Sequence, residues 1–285
     1  MKKIIYCLII CFLLSAAFVW GQADSRTPGG MPGAAFNSMQ QSLNPEPMSL
    51  EDEYYLGRAV AAGILTTYKP YTANPALTTY LNQICQALVI NSAKPVVFNG
   101  YFVVIIDTME YNAFASPAGH IMLSRGLIEA ANSEDALAGL IAHELAHVEL
   151  RHAAAMIDEM SFSNEMGQTA QRAAAFSGNQ AAQRALQLRN SVSGIVDTMI
   201  KNGFSREQEL AADRRALDLL AATGYDPRGL VEMLQILQRV QTGQKGGFNS
   251  THPAPSERIT SVNSIIVTFK VQDTRASRKQ RFINK

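Results

Sequence analysis

The chain has 285 residues, 47% of them apolar, and its 25 basic and 24 acidic side chains leave a formal net charge of +1. Length and apolar content suffice for one large domain with a real core. The even charge balance lacks the footprint of a nucleic-acid binder, and three cysteines are too few for a disulfide framework.

Lys2 and Lys3 precede an apolar run from Ile4 to Leu14, followed by Ser15-Ala16-Ala17-Phe18-Val19-Trp20-Gly21-Gln22-Ala23. This reads as a secretory leader over residues 1–23, cleaved after Gly21 or Ala23, and so predicts an exported protein, periplasmic or envelope-associated. The alternative is an uncleaved tether, since Ile4 to Trp20 falls just short of the roughly 20 residues a span needs. Lipidation at Cys11 is disfavoured by the bulky Ile10 before it. With Cys7 and Cys11 in the leader, Cys85 stands alone, which excludes a zinc site built of cysteines. Its spacing with Leu81, Ile84 and Leu88 is that of a small buried apolar residue. Residues 24–48, rich in Gly, Pro, Ser, Asn and Gln, read as a disordered linker.

Ser49, followed by Glu51, Asp52 and Glu53, starts a helix running to about Tyr68. A second helix runs from Pro75 to about Asn91. Val96 to Asp107 is the best strand, rich in β-branched and aromatic residues. Asn112 to Gly119 is turn-like, His120 to Leu123 a short strand and Ser124 to Ala131 a short helix. Ser133, with Glu134 and Asp135 behind it, caps the next helix.

That helix carries His143-Glu144-Leu145-Ala146-His147, an H-E-x-x-H motif in an apolar setting. Four residues turn a helix by about 400°, so His143 and His147 present two imidazole nitrogens on one face to a single metal ion. Glu144 lies about 100° further round, beside the metal, where a carboxylate can take the proton of a water that zinc has acidified.

Residues 153–199 are helical in propensity, broken near Ser177-Gly178-Asn179. They contain no apolar window of 18 residues and read as a solvent-facing excursion. Ser205 to Ala222 is a strong helix ended by Gly224; Asp226-Pro227 starts another that runs to about Val240. Gly243 to Ser250 reads as a flexible loop, and the basic tail from Lys270 as solvated.

Catalytic zinc takes three protein ligands and keeps one position for water. The extended motif H-E-x-x-H-x-x-G-x-x-H is ruled out by Leu150 and Ala153. With cysteine unavailable the third ligand must be His, Asp or Glu, and the candidates are Glu209 and Asp213 on the downstream helix, one turn apart, so that one can ligate while the other receives the N–H of a ligand histidine. Alanines at 211, 212 and 216 and leucines at 210, 217 and 220 mark the helix as packed. His120 and His152 read as structural.

His143-Glu144-Leu145-Ala146-His147 and Glu209-Leu210-Ala211-Ala212-Asp213, with Asn112-Ala113-Phe114-Ala115 upstream and His252-Pro253 and Arg258-Ile259 downstream, resemble the zinc peptidase family of HtpX, the Oma-type mitochondrial protease and the periplasmic protease BepA. The resemblance covers residues 49–265, leaving 266–285 as a basic C-terminal tail. It implies a gluzincin: an α+β, predominantly helical fold with a small sheet whose edge strand holds the substrate. It implies one Zn²⁺ per chain on His143, His147 and Glu209, with Glu144 as base and Asp213 as partner of a ligand. His252 and Arg258 match residues near the active site, fit to stabilise an oxyanion; in some relatives the matching histidine is thought to reach the metal and block the water position. The stretch Asn112-Ala113-Phe114-Ala115 belongs to a segment suited to binding an extended peptide through backbone groups. The chain departs from HtpX in lacking multiple membrane spans and from BepA in lacking a helical-repeat domain.

The function expected is therefore a zinc endopeptidase acting outside the cytoplasm on misfolded or misassembled envelope proteins. Its expected partners are unfolded polypeptides, with membrane-surface or outer-membrane assembly proteins possible and nucleic acid excluded. The rival is a chaperone-like or latched peptide-binding protein whose zinc is structural or regulatory.

Overall fold

The computed structural model describes residues 49–94, 97, 100–157, 192–240, 252, 255–269 and 275–284. The leader, the linker, the break at Ser177-Gly178-Asn179 and the loop Gly243 to Ser250 lie outside the described residues.

The chain is α+β and predominantly helical. Helix α1 (Leu50–Thr67) and helix α2 (Pro75–Val89) come first. Asn74 caps α2, its side chain accepting from the Leu77 N–H, and Pro75 supplies the helical φ of the first turn. Three short strands follow: β1 (Phe102–Ile106), β2 (Ala113–Ser116) and β3 (His120–Ser124). Their order is β1-β3-β2, with β3 parallel to β1 and antiparallel to β2. Ser124 caps α3 (Arg125–Ala130), and Ser133 caps α4 (Glu134–Glu149) by accepting from the Ala136 N–H. The remaining named helices are α5 (Arg206–Thr223), α6 (Arg228–Val240), α7 (Pro255–Ile266) and α8 (Arg275–Ile283). Among the described residues no helix is long and apolar enough to cross a membrane.

The two-residue period of the strands sorts side chains into two cores. Val103, Ile105, Ala113, Ala115, Ile121 and Leu123 face the larger one, with α2, α4, α5 and α6. Ile106, Phe114 and Met122 face the smaller one, with Val60, Ala61 and Ile64 of α1. Helix α4 is buried almost all round, which explains its alanine-rich composition. Gly139 lets α6 approach it: a Cβ there would lie 2.7 Å from the Leu230 nitrogen, and one on Gly229 would lie 2.1 Å from the Asp135 carbonyl oxygen.

Several expectations are corrected. The turn-like segment after Asn112 contains a strand, because pairing with β3 and burial of Ala113, Phe114 and Ala115 override alanine's weak strand propensity. Strand β1 begins at Phe102; Val96 and Phe98 lie outside the described residues, and Tyr101 instead donates its hydroxyl to the Lys94 carbonyl at 2.8 Å. The region after Ala153 is not solvent-facing where described: helical residues 152–157 and 192–201 bury Ala153, Ile157, Ile195, Val196 and Met199 in the smaller core.

The basic tail also differs. Helix α8 docks on the first turn of α4, with Arg278 only 3% exposed. The Arg278 Nε lies 2.9 Å from Asp135 Oδ1, and the Arg281 Nε donates to Glu134 Oε2 at 3.0 Å. Glu134 and Asp135 thus serve both the α4 dipole and the tail's guanidinium groups.

Candidate metal centre and active site

Two helices supply facing donors. On α4, His143 and His147 share a face and bring their Nε2 atoms to 3.1 Å. On α5, a capping box between Ser205 and Gln208 fixes the first turn and sets Glu209 and Asp213 inward, both buried. Glu209 Oε1 lies 3.2 Å from His147 Nε2, and Oε2 lies 3.4 Å from His143 Nε2. Bonds of about 2.0–2.1 Å to a tetrahedral ion place ligand atoms about 3.3–3.4 Å apart, close to the separation of the two imidazole nitrogens and of each from one Glu209 oxygen. His252, just before α7, puts Nδ1 2.7 Å from Glu209 Oε1. His143, His147, Glu209 and His252 all offer ligand atoms within 4.8 Å of one another.

The surroundings fix the donors. Asp213 Oδ1 lies 3.0 Å from His143 Nδ1, which directs the opposite nitrogen toward the cluster. Arg258 of α7 donates from Nε to Asp213 Oδ2 at 2.8 Å and from Nη2 to Oδ1 at 2.6 Å, and its Nη1 pairs with Glu209 Oε2 at 2.7 Å. One buried guanidinium therefore clamps both carboxylates. On His147 the ring of Phe204 stacks at 4.1 Å, while Nδ1 meets His152 Nδ1 at 2.9 Å.

Charge in the metal-free cluster is strongly redistributed. Burial and Arg258 oppose protonation of His143, yet the carboxylates of Glu209 and Asp213 outweigh them and lift its pKa to about 9. A dication can take the place of that proton. Burial lowers the pKa of His147 well below its usual value. Burial also opposes ionisation of Asp213, but Arg258 beside it holds the carboxyl down at about 2. Glu209 is likewise held well below the carboxylate range, with His252, Arg258 and His143 overcoming its burial.

Glu144 is the exception. It is wholly buried, burial raises its pKa, and neither carboxylate oxygen has a hydrogen-bond partner among the described residues. His252 Nε2 stands 3.8 Å away. A buried carboxylate left without donors is costly unless a reaction uses it.

Beside this cluster runs β2. Asn112 lies opposite Ser124 and accepts its N–H at 2.9 Å, so by antiparallel alternation Ala113 and Ala115 turn their outer backbone groups away from β3. No strand pairs with that edge among the described residues. Asn112 itself is committed locally, its side-chain oxygen accepting from the Ala113 N–H at 3.0 Å. Phe114 joins Met156, Met199, Phe204 and His252 around a small apolar cavity.

The structure brings together all the residues anticipated in sequence from the motif helix, from α5 and from the approach to α7. His120 lies away from the cluster, ringed by Tyr54 and Phe102. Sequence reasoning missed Phe204 and the contact between His152 and His147, for which spacing along the chain gives no signal.

Fold and site together define a metallopeptidase. Residues 75–266 match the family described as Peptidase family M48, and the chain belongs to that family. It is 29% identical over 202 residues to the Beta-barrel assembly-enhancing protease of Escherichia coli (strain K12), covering 68% of this chain and 40% of that protein. It is 28% identical over 187 residues to Metalloprotease LoiP of the same organism, covering 65% of this chain and 69% of that one. To the Mitochondrial metalloendopeptidase OMA1 of Arabidopsis thaliana it is 29% identical over 156 residues, covering 55% of this chain and 30% of that one. The chain thus spans less than half the length of the first of these relatives.

Proposed function

We propose that this chain is a zinc endopeptidase of the cell envelope that hydrolyses unfolded or misassembled proteins. The observation that carries the reading is the convergence of four side chains able to ligate a metal beside a buried Glu144 whose oxygens have no hydrogen-bond partner among the described residues, along a strand edge that no described strand pairs. His143, His147 and Glu209 would hold the ion, and Asp213 orients His143. Arg258 acts behind the ligands, because its donors are directed at Glu209 and Asp213.

When bound, zinc polarises the scissile carbonyl and acidifies water. Glu144 takes the proton of the attacking water and passes it to the leaving amine nitrogen. The outer carbonyl of Ala113 and the outer N–H and carbonyl of Ala115 hold the substrate as an added strand, a mode that reads little sequence and requires an extended chain. That requirement selects unfolded polypeptides. The envelope setting rests on the leader over residues 1–23 and on likeness to a protease whose name assigns it to β-barrel assembly; outer-membrane assembly proteins are the partners this suggests. Residues 24–48 serve as the linker and 49–265 as the catalytic domain.

A second reading has its own support. With His252 Nδ1 2.7 Å from Glu209 and inside the donor cluster, His252 as a fourth ligand would fill the position water needs and latch the site. Hydrolysis of unfolded casein by wild type and His252→Ala separates the two. Faster hydrolysis by the variant supports a latch; hydrolysis slower by about 10-fold or more supports oxyanion stabilisation. Equal rates remove His252 from the mechanism. Absence of chelator-sensitive hydrolysis in both proteins contradicts the endopeptidase reading.

A further inference from the structure

On an uninterrupted helix His152 would point about 140° away from His147, five residues earlier. Helix α4 ends first. Leu150 caps it, and Arg151 takes a left-handed conformation at φ 56°, one of two non-glycine residues with positive φ among those described. That conformation costs on the order of 1–2 kcal/mol for a residue with a side chain. The Arg151 Nη2 is held 2.8 Å from the buried Glu53 Oε2 of α1, which anchors the strained turn. The chain then re-enters helix at residue 152, and the turn brings the His152 ring back under His147. Their centroids are 4.9 Å apart and their planes cross at 72°, the geometry of an in-plane nitrogen meeting a neighbouring ring nitrogen.

The proton between the two Nδ1 atoms, 2.9 Å apart, has one consistent place. The His147 Nε2 faces His143 and Glu209, so its lone pair belongs to the metal and its hydrogen must sit on Nδ1. His152 Nδ1 is then the acceptor. His143 has the same need met by the carboxylate of Asp213. The two ligand histidines are thus oriented by different chemistry, one by an anion and the other by a neutral ring. His152 is absent from the four-residue donor cluster and is 8% exposed, so its place is behind a ligand.

We propose that His152 is a positioning residue for the metal site: its Nδ1 accepts the His147 Nδ1–H, fixes the tautomer that leaves Nε2 free to ligate, and with Phe204 stacked on the ring's face locks the ring's orientation. This rests on the metal-centre reading above. It predicts that the acceptor atom matters, beyond the volume of the ring.

The test uses zinc alone as probe and reads affinity and release into a chelator, with metal-free melting temperatures measured alongside. His152→Asn keeps a carbonyl oxygen near the place of Nδ1. His152→Phe keeps a ring without an acceptor, and His152→Ala removes both should the Phe variant fail to fold. The expected result is about 10–100-fold weaker zinc binding and faster release in the acceptor-free variants, with the Asn variant within a few-fold of wild type. Wild-type affinity in an acceptor-free variant that folds, or equal weakening in Asn and acceptor-free variants, overturns the proposal. Wild-type protein that binds no zinc overturns the metal-centre reading itself, and this inference with it.

Discussion

Glu144→Gln lowers kcat for hydrolysis of an unfolded casein substrate by about 10²–10⁴-fold and leaves zinc content at the wild-type level. The amide is nearly isosteric, so α4 keeps its packing and His143 and His147 keep their positions. What the amide loses is basicity. Glu144 is poised for that role because burial raises its pKa and no described donor competes for its oxygens. In an ordinary core such a carboxylate would be a defect; beside the metal-ligating cluster it is an acceptor waiting for a proton. Wild-type turnover in the variant would refute the assignment, while loss of zinc would mean that Glu144 ligates.

Arg258→Met destabilises the metal-free protein by about 3–5 kcal/mol, the scale for removing one partner of a buried ion pair. At roughly 2–4 °C per kcal/mol for a domain of this size, the melting temperature falls by about 10 °C. Methionine retains much of the side-chain volume, so the loss isolates the guanidinium. Both carboxylates it clamps are almost wholly buried. The pH dependence follows from Asp213, whose folded pKa of about 2 is depressed from an unfolded value of about 4. A depressed carboxyl contributes stability that is present above the unfolded value and lost as pH falls toward the folded one. The deficit of Arg258→Met, measured by thermal denaturation in chelator, is therefore largest near neutrality and shrinks as pH falls from about 4 toward 2. A uniform deficit across that range would assign the effect to packing.

The parts of the site carried by helical spacing were legible in the sequence. His143, Glu144 and His147 follow from one turn of helix, and Glu209 with Asp213 from another, because four-residue spacing converts directly into a shared face. Helix ends were legible for a similar reason: Ser133, Ser205 and Gly224 act within a few residues of themselves. What depends on distant partners was not. Ala113 to Ser116 has little strand propensity of its own and becomes a strand through β3. Arg278 and Arg281 look like a solvated basic tail until Asp135 and Glu134, more than a hundred residues earlier, are brought to them. His152 needed the left-handed turn at Arg151, which no spacing rule anticipates for an arginine.

The most direct test of the account is the zinc content of the purified mature protein by elemental analysis, wild type beside Glu209→Gln, with casein hydrolysis assayed on the same samples. The account predicts about one zinc per wild-type chain, since His143, His147 and Glu209 would together hold a single ion, and loss of both zinc and hydrolysis in the variant. Full zinc retention with unchanged hydrolysis in Glu209→Gln would contradict it, and would shift the third ligand to Asp213 or His252.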